Sequence, residues 1–221
     1  MRYLALATDG DGTVLKNSHM LGETAAALER LRAAGMKLIL VTGETSQELK
    51  EFPHFELFHY AVAENGAVLF DPATGVEELL CESRPERLLT ALREAGLRCE
   101  PGRVIVCTDT DQQARVDAIL EQLQLSWHTT SNRDDLLVLP AGVDKASGLS
   151  KLLARIDIPP ERVVGIGDAD NDRAMLDLCG AGVAVGNAVP PLKNCADIVT
   201  DGHTGHGVVE LAEWLLSESA G

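Results

Sequence analysis

The most constraining stretch is an apolar run that ends abruptly in acid. Tyr3 to Ala7 carries no turn residue and is short enough to be a buried strand. It leads into Asp9-Gly10-Asp11-Gly12-Thr13. Two carboxylates two residues apart, where a strand becomes a glycine-rich turn, point into shared space. They repel each other unless something positive lies between them. A hard, oxygen-seeking cation such as Mg²⁺ is the cheapest solution. The glycines leave backbone N–H groups open to an anion. This one turn therefore offers a metal site, a phosphate cradle and a carboxylate nucleophile. The plainer reading is a simple turn, since Asp and Gly are the commonest turn residues. An EF-hand is excluded, because positions six and twelve counted from Asp9 are Val14 and Met20, where Gly and Glu are required.

Charge sharpens the argument. The 221 residues carry 34 acids against 19 lysines and arginines, a formal net charge of −15. That balance argues against nucleic acid or an anionic membrane as partner. It makes an anionic substrate odd unless a cation reverses the sign locally. The five cysteines include no CxxC pair and read as reduced thiols, not as a disulfide framework or zinc site. No signal-peptide pattern opens the chain and no apolar run approaches ~18 residues, so the expected location is cytoplasmic.

Periodicity gives the architecture. A helix is expected over 23–34, stopped by Gly35, then a strand over 36–41 ending in Thr42-Gly43. A short helix follows, with Thr45 or Ser46 as N-cap. Strands at 60–63 and 67–70 are separated by Asn65-Gly66. From 71 to 144 strand-like pieces (76–80, 104–107, 127–130, 136–139) alternate with helical ones (86–95, 112–123). This region reads as an inserted α+β unit. Arg133 is its most interesting charge, with a solvated surface arginine as the plainer reading. A helix over 146–156, a strand over 162–166, a helix over 173–179, strands at 183–185 and 198–199 and a helix over 207–218 resume the first pattern. Strands alternating with helices on short connections point to a doubly wound parallel α/β core, 1–70 and 145–221, with a small α+β insertion at 71–144.

Ligands of open parallel sheets bind at the carboxyl ends of the strands. Asp9-Gly10-Asp11, Thr42-Gly43 and Gly167 to Asp172 all follow apolar strands, and Lys145 opens a helix. Asp168 and Asp172 lie four apart, on one face if a helix begins there. A calcium loop counted from Asp168 fails too, with Arg173 and Cys179 at positions six and twelve.

These four stretches together resemble the haloacid dehalogenase (HAD) superfamily of phosphatases. Its D-x-D-G-T motif is matched by Asp9 to Thr13, its strand-ending Thr or Ser by Thr42, its Lys by Lys145, and its G-D-x-x-N-D by Gly167 to Asp172. The insertion resembles the type IIB cap of the subgroup with archaeal phosphoglycolate phosphatases and sugar-phosphate phosphatases, as do Asn65-Gly66-Ala67 and Gly186-Asn187-Ala188. The resemblance implies Asp9 as nucleophile and Asp11 as general acid and base. It implies Mg²⁺ on Asp9, the Asp11 carbonyl, Asp168 and Asp172, and phosphate contacts from Gly10, Thr42, Gly43, Lys145 and Asn171. The partner implied is a small phosphorylated metabolite, met by a monomer or homodimer. Phosphoglycolate and a sugar phosphate lead, and the compact cap points toward phosphoglycolate. Two departures stand out: Glu44 where many relatives have Arg, and Gly10 where a larger apolar residue is usual. The alternatives are a receiver-type phosphoacceptor module and a catalytically silent binder. His203 and His206, flanking Gly205, are the remaining metal-like pair.

Overall fold

A computed structural model describes residues 2–132 and 135–218. Arg133 lies outside the described residues. The chain opens with β1 (Ala5–Thr8), a small hairpin of β2 (Leu15–Lys16) and β3 (His19–Met20), then α1 (Gly22–Ala33) and β4 (Lys37–Val41). β5 (Tyr60–Ala63), β6 (Val68–Asp71) and β7 (Val76–Leu79) follow as a meander. The cap elements are α2 (Glu86–Glu94), β8 (Glu100–Pro101), β9 (Val106–Asp109), α3 (Gln113–Gln122), β10 (Trp127–Asn132) and β11 (Asp135–Pro140). The return runs through α4 (Lys145–Arg155), β12 (Val163–Gly167), α5 (Arg173–Leu178), β13 (Ala181–Ala184), α6 (Pro190–Cys195), β14 (Ile198–Val199) and α7 (Gly205–Glu218).

Eight strands form one sheet in the order β14-β13-β12-β1-β4-β5-β6-β7. The first six in that order run parallel, and β6 and β7 add antiparallel at one edge. The central strands β1, β4 and β12 are apolar except for Thr8 and the exposed Lys37, as strands buried on both faces should be. Two helix pairs, α1 with α7 and α4 with α5, flank the sheet. The chain leaves β1 toward β4 on one side and returns as β12 on the other. This reversal opens a crevice at the carboxyl ends of β1, β4 and β12.

The stretch at 76–80, read from sequence as part of the insertion, pairs with β6 in the large sheet. The expected helix after Thr42 is a 3-10 turn, Glu48–Glu51. The N-cap position of this turn is Gln47, not Thr45 or Ser46; just ahead of it Thr45 Oγ1 accepts from Glu48 N at 3.4 Å and the Glu48 carboxylate accepts from Thr45 N at 2.7 Å.

The cap carries its own four-stranded sheet, β10-β11-β9-β8, with α2 and α3 packed together on it. Leu88, Leu92, Val116, Leu120, Leu136 and Val138 form a separate buried cluster there. The alternate residues of β11, Leu137 and Leu139, face the main core. A period of two thus gives one strand two apolar faces.

Gly66 joins core and site. Its φ is +108°, a region open to glycine, and a Cβ there would sit 1.9 Å from the Asp144 carbonyl oxygen, just before Lys145. Gly66→Ala therefore combines a backbone clash with left-handed strain, and we expect a loss of about 3 kcal/mol in denaturant unfolding.

Candidate active site

Three neighbouring strand ends deliver the site residues. Asp9 follows β1, and its backbone N–H donates to Ile166 of β12 at 3.0 Å. Asp168 follows β12, and Thr42 follows β4. The Asp9-to-Thr13 turn closes on the Gly10 carbonyl, which accepts from Thr13, Val14 and Leu15 at 3.2, 3.0 and 3.0 Å. Lys145 begins α4, which is started by a capping box: Asp144 accepts from Ser147 N at 2.7 Å and Ser147 Oγ accepts from Asp144 N at 3.0 Å.

The Lys145 side chain is wholly buried, yet it ends between two carboxylates. Its Nζ donates to Asp9 Oδ1 and to Asp172 Oδ1, each at 2.5 Å. The other Asp172 oxygen accepts from the backbone N–H groups of Asp168 and Ala169 at 2.9 and 3.0 Å. Asp172 thus braces both the Asp168 loop and the lysine. Asp9, Asp168 and Asp172 bring carboxylate oxygens within 4.8 Å of one another, all buried. Thr13 Oγ1 donates to Asp168 at 3.3 Å.

Three buried carboxylates around one ammonium leave negative charge uncompensated. Burial first, then Asp172, pushes the Asp9 carboxyl well above its ordinary range, with Lys145 opposing. For Lys145, burial pulls the ammonium down, but Asp172 and Asp9 outweigh it and hold it above the usual lysine range. The donor set is hard oxygen and the charge deficit is anionic. Both features fit a divalent cation.

The proposed phosphate-facing groups surround this cluster. Thr42 Oγ1 accepts from Glu44 N at 3.2 Å, which leaves its own proton to donate elsewhere. Asn171 donates to Asn65 at 3.2 Å, while its buried carbonyl oxygen has no partner among the described residues. Gly10 is packed by Phe52 and Thr42, each 3.3 Å from where a Cβ would stand. Phe52 thus fills the space that a larger residue at position 10 would occupy. Gly43 lies directly beneath the cap, since a Cβ there would be 3.2 Å from Leu137 and 3.4 Å from Asn132.

Asp11 is exposed and opens onto a cleft of about 780 Å³ between core and cap. Its acidic lining is Asp11, Glu44, Glu48, Glu51, Glu100 and Asp135. No lysine or arginine lines it among the described residues. Arg98 pairs with Glu100 at 3.1 Å and Asp135 at 2.5 Å. His203 and His206 lie outside the carboxylate cluster, and His206 is 2.7 Å from Glu23. All five cysteines are free thiols. No described helix is long and apolar enough to cross a membrane.

A family model described as haloacid dehalogenase-like hydrolase matches residues 6–79 and 93–211. The chain belongs to that family. Within it, it is a phosphatase. Among similar HAD proteins, a phosphoglycolate phosphatase from Pyrobaculum aerophilum is 29% identical over 99% of this chain and 97% of its own length. Another, from Haloarcula marismortui, is 31% identical over 93% and 94%. A haloacid dehalogenase-like hydrolase from Bacteroides thetaiotaomicron superposes with a TM-score of 0.83 at 21% identity, covering 96% of this chain and 99% of its own. A HAD subclass IIB sugar phosphatase gives a TM-score of 0.77 at 20% identity, covering 96% and 98%. These two structures share the HAD fold with this chain.

Asn65 and Asn187 stand in two of the triplets that carried the resemblance, but what they hold escaped sequence reasoning. Asn65 holds Asn171. Asn187 donates to the Gly12 carbonyl at 2.9 Å and accepts from Thr204 N at 2.6 Å, bracing the first motif from across the sheet. Glu44 stands out on sequence only as a departure. In the fold it is half-buried, with one carboxyl oxygen buried and unpartnered among the described residues. Burial, then Asp11 and Glu48, push its carboxyl up to about 8, against a weaker pull from Lys145. A raised carboxyl binds its proton in the folded state while the unfolded chain has lost it. Stability should therefore fall as pH rises from 4.5 to about 8. Glu44→Gln should flatten that fall and add about 2 kcal/mol at pH 8, read from urea unfolding across this pH range.

Proposed function

We propose that this protein is a Mg²⁺-dependent phosphomonoesterase acting on a small phosphorylated metabolite through an aspartyl-phosphate. The observation that carries the reading is Lys145 Nζ at 2.5 Å from both Asp9 and Asp172, inside a cluster of three buried carboxylates. A lysine so held keeps its charge and cannot wander. It supports one nucleophilic oxygen of Asp9 and faces the incoming phosphate. Asp9, Asp168 and the Asp11 carbonyl would hold the cation, with Asp172 supporting it directly or through water. When bound, Mg²⁺ supplies positive charge that lets an anionic nucleophile meet an anionic phosphate.

The chain's own residues divide the remaining labour. Asp9 attacks phosphorus, and the bond to the alcohol oxygen breaks as Asp11 delivers its proton. Asp11 then takes a proton from water, which attacks the same phosphorus, frees inorganic phosphate and restores Asp9. Gly10 and Gly43 backbone N–H groups, Thr42 Oγ1 and Asn171 hold the phosphoryl oxygens. Exposure of Asp11 to the cleft, and burial of Asp9 behind it, suits an acid facing the leaving group and a nucleophile facing phosphorus.

The cleft bears on the leaving group. With Glu100 and Asp135 paired to Arg98 and Glu44 pushed up to about 8, the charges left on the lining are Asp11, Glu48 and Glu51, which repel a second carboxylate and suit hydroxyls. This favours a sugar phosphate over phosphoglycolate, against the expectation drawn from the compact cap. Relatives named phosphoglycolate phosphatase support the other reading.

Phosphate release from a panel of small phosphomonoesters, with Mg²⁺ and with chelator, tests both levels. We expect Mg²⁺-dependent release, highest on a hexose or pentose phosphate. Preference for phosphoglycolate would overturn the charge argument and keep the chemistry. Absence of release, with lasting label from acetyl phosphate, would favour a receiver-type module. Neither release nor label would favour a silent binder. Asp9→Asn should lower turnover by roughly 10³-fold or more while the melting temperature is kept, and full activity would remove Asp9 as nucleophile.

A further inference from the structure

We propose that Glu64 is a positioning residue whose buried carboxylate latches the cap onto the catalytic core. The inference rests on the phosphatase reading above only for its kinetic readout. Glu64 is fully buried and lies in the turn between β5 and β6. Its Oε1 accepts from Arg103 N at 2.8 Å, and its Oε2 accepts from Val104 N at 2.8 Å and Ile105 N at 3.1 Å. Three successive backbone amides of the cap thus converge on one core anion, the arrangement of an anion-binding nest. The fit is close on the cap side too, because a Cβ at Gly102 would lie 2.5 Å from Glu64 Oε2.

The turn that carries Glu64 reaches much of the site. Glu64 N donates to the Glu44 carbonyl and Asn65 N to the Thr42 carbonyl, each at 2.9 Å. Asn65 accepts from Asn171, and Gly66 packs under Asp144 beside Lys145. Glu64, Asn65 and Gly66 all have positive φ, at 50°, 53° and 108°. Two non-glycine residues held in that region indicate a turn fixed by its surroundings. On the far side of the latch, Pro101, Ile105 and Cys107 line the cleft. The carboxylate therefore connects the wall that meets the leaving group to the turn that holds the phosphate-facing residues. Removing it loosens the wall, while the backbone bonds from the same turn to Thr42 and Glu44 survive.

The test compares wild type, Glu64→Gln and Gly102→Ala on phosphoglycolate, glucose 6-phosphate and p-nitrophenyl phosphate in Mg²⁺. The aryl phosphate has a good leaving group and little need of the cap. For the better of the two metabolites we expect KM to rise about tenfold with kcat within about twofold, and aryl phosphate kinetics to stay within about twofold. Gly102→Ala should reproduce this pattern, and the double variant should be no worse than the worse single. Unchanged KM, or equal loss of kcat on all three compounds, would overturn the latch. Amide exchange supplies a readout independent of activity: the amides of residues 103–105 should exchange faster in Glu64→Gln while β1 and β4 keep wild-type protection. Unchanged exchange at 103–105 overturns the latch. An inactive wild type overturns the phosphatase reading instead, and exchange then decides the latch alone.

Discussion

The site depends on the placement of one buried ammonium. Lys145 cannot be desolvated without anionic partners, and Asp9 and Asp172 cannot be packed together without a cation. Each solves the other's problem, and the fold supplies the means. Asp9 arrives on the central strand, Asp172 on the loop beyond the neighbouring strand, and Lys145 at the start of a helix capped by its own predecessor. Two carboxylates still exceed the available positive charge when Asp168 is counted. That excess makes the cluster a place for a hard dication rather than a finished salt bridge.

The sequence displayed the core because its signals are local. Apolar runs of strand length stop at acids or at Thr-Gly, and the helices between them have clear stops such as Gly35. The four motifs follow from that grammar, so the residues gathered at the strand ends could be named in advance. The bonds among them are long-range and were not legible. Asn187 bracing Gly12, and Asn65 holding Asn171, join residues 175 and 106 positions apart. Glu64 gave no signal either, because an acid before Asn-Gly reads as an ordinary turn residue. The hidden β8 and the small β2–β3 hairpin are two-residue strands, too short for any period to show.

The Glu44 substitution illustrates how burial changes a residue's meaning. In sequence it is one acid among 34. In the fold it stands under the cap between Asp11 and Glu48, where ionisation is costly. A protonated carboxyl can donate a hydrogen bond as well as accept one. Beside the second motif this chain presents a group whose character changes with its surroundings.

The two-faced strand β11 has a consequence for how such enzymes diversify. Leu136 and Val138 belong to the cap's interior, while Leu137 and Leu139 belong to the main core. The cap is therefore not a detachable lid with a polar underside. Transplanting it onto another HAD scaffold would carry along an apolar stripe shaped for this particular sheet. Deleting it would leave the same stripe's counterpart bare in water. Changes of specificity in this lineage are more readily made at the cleft-facing side chains than by exchange of the whole unit.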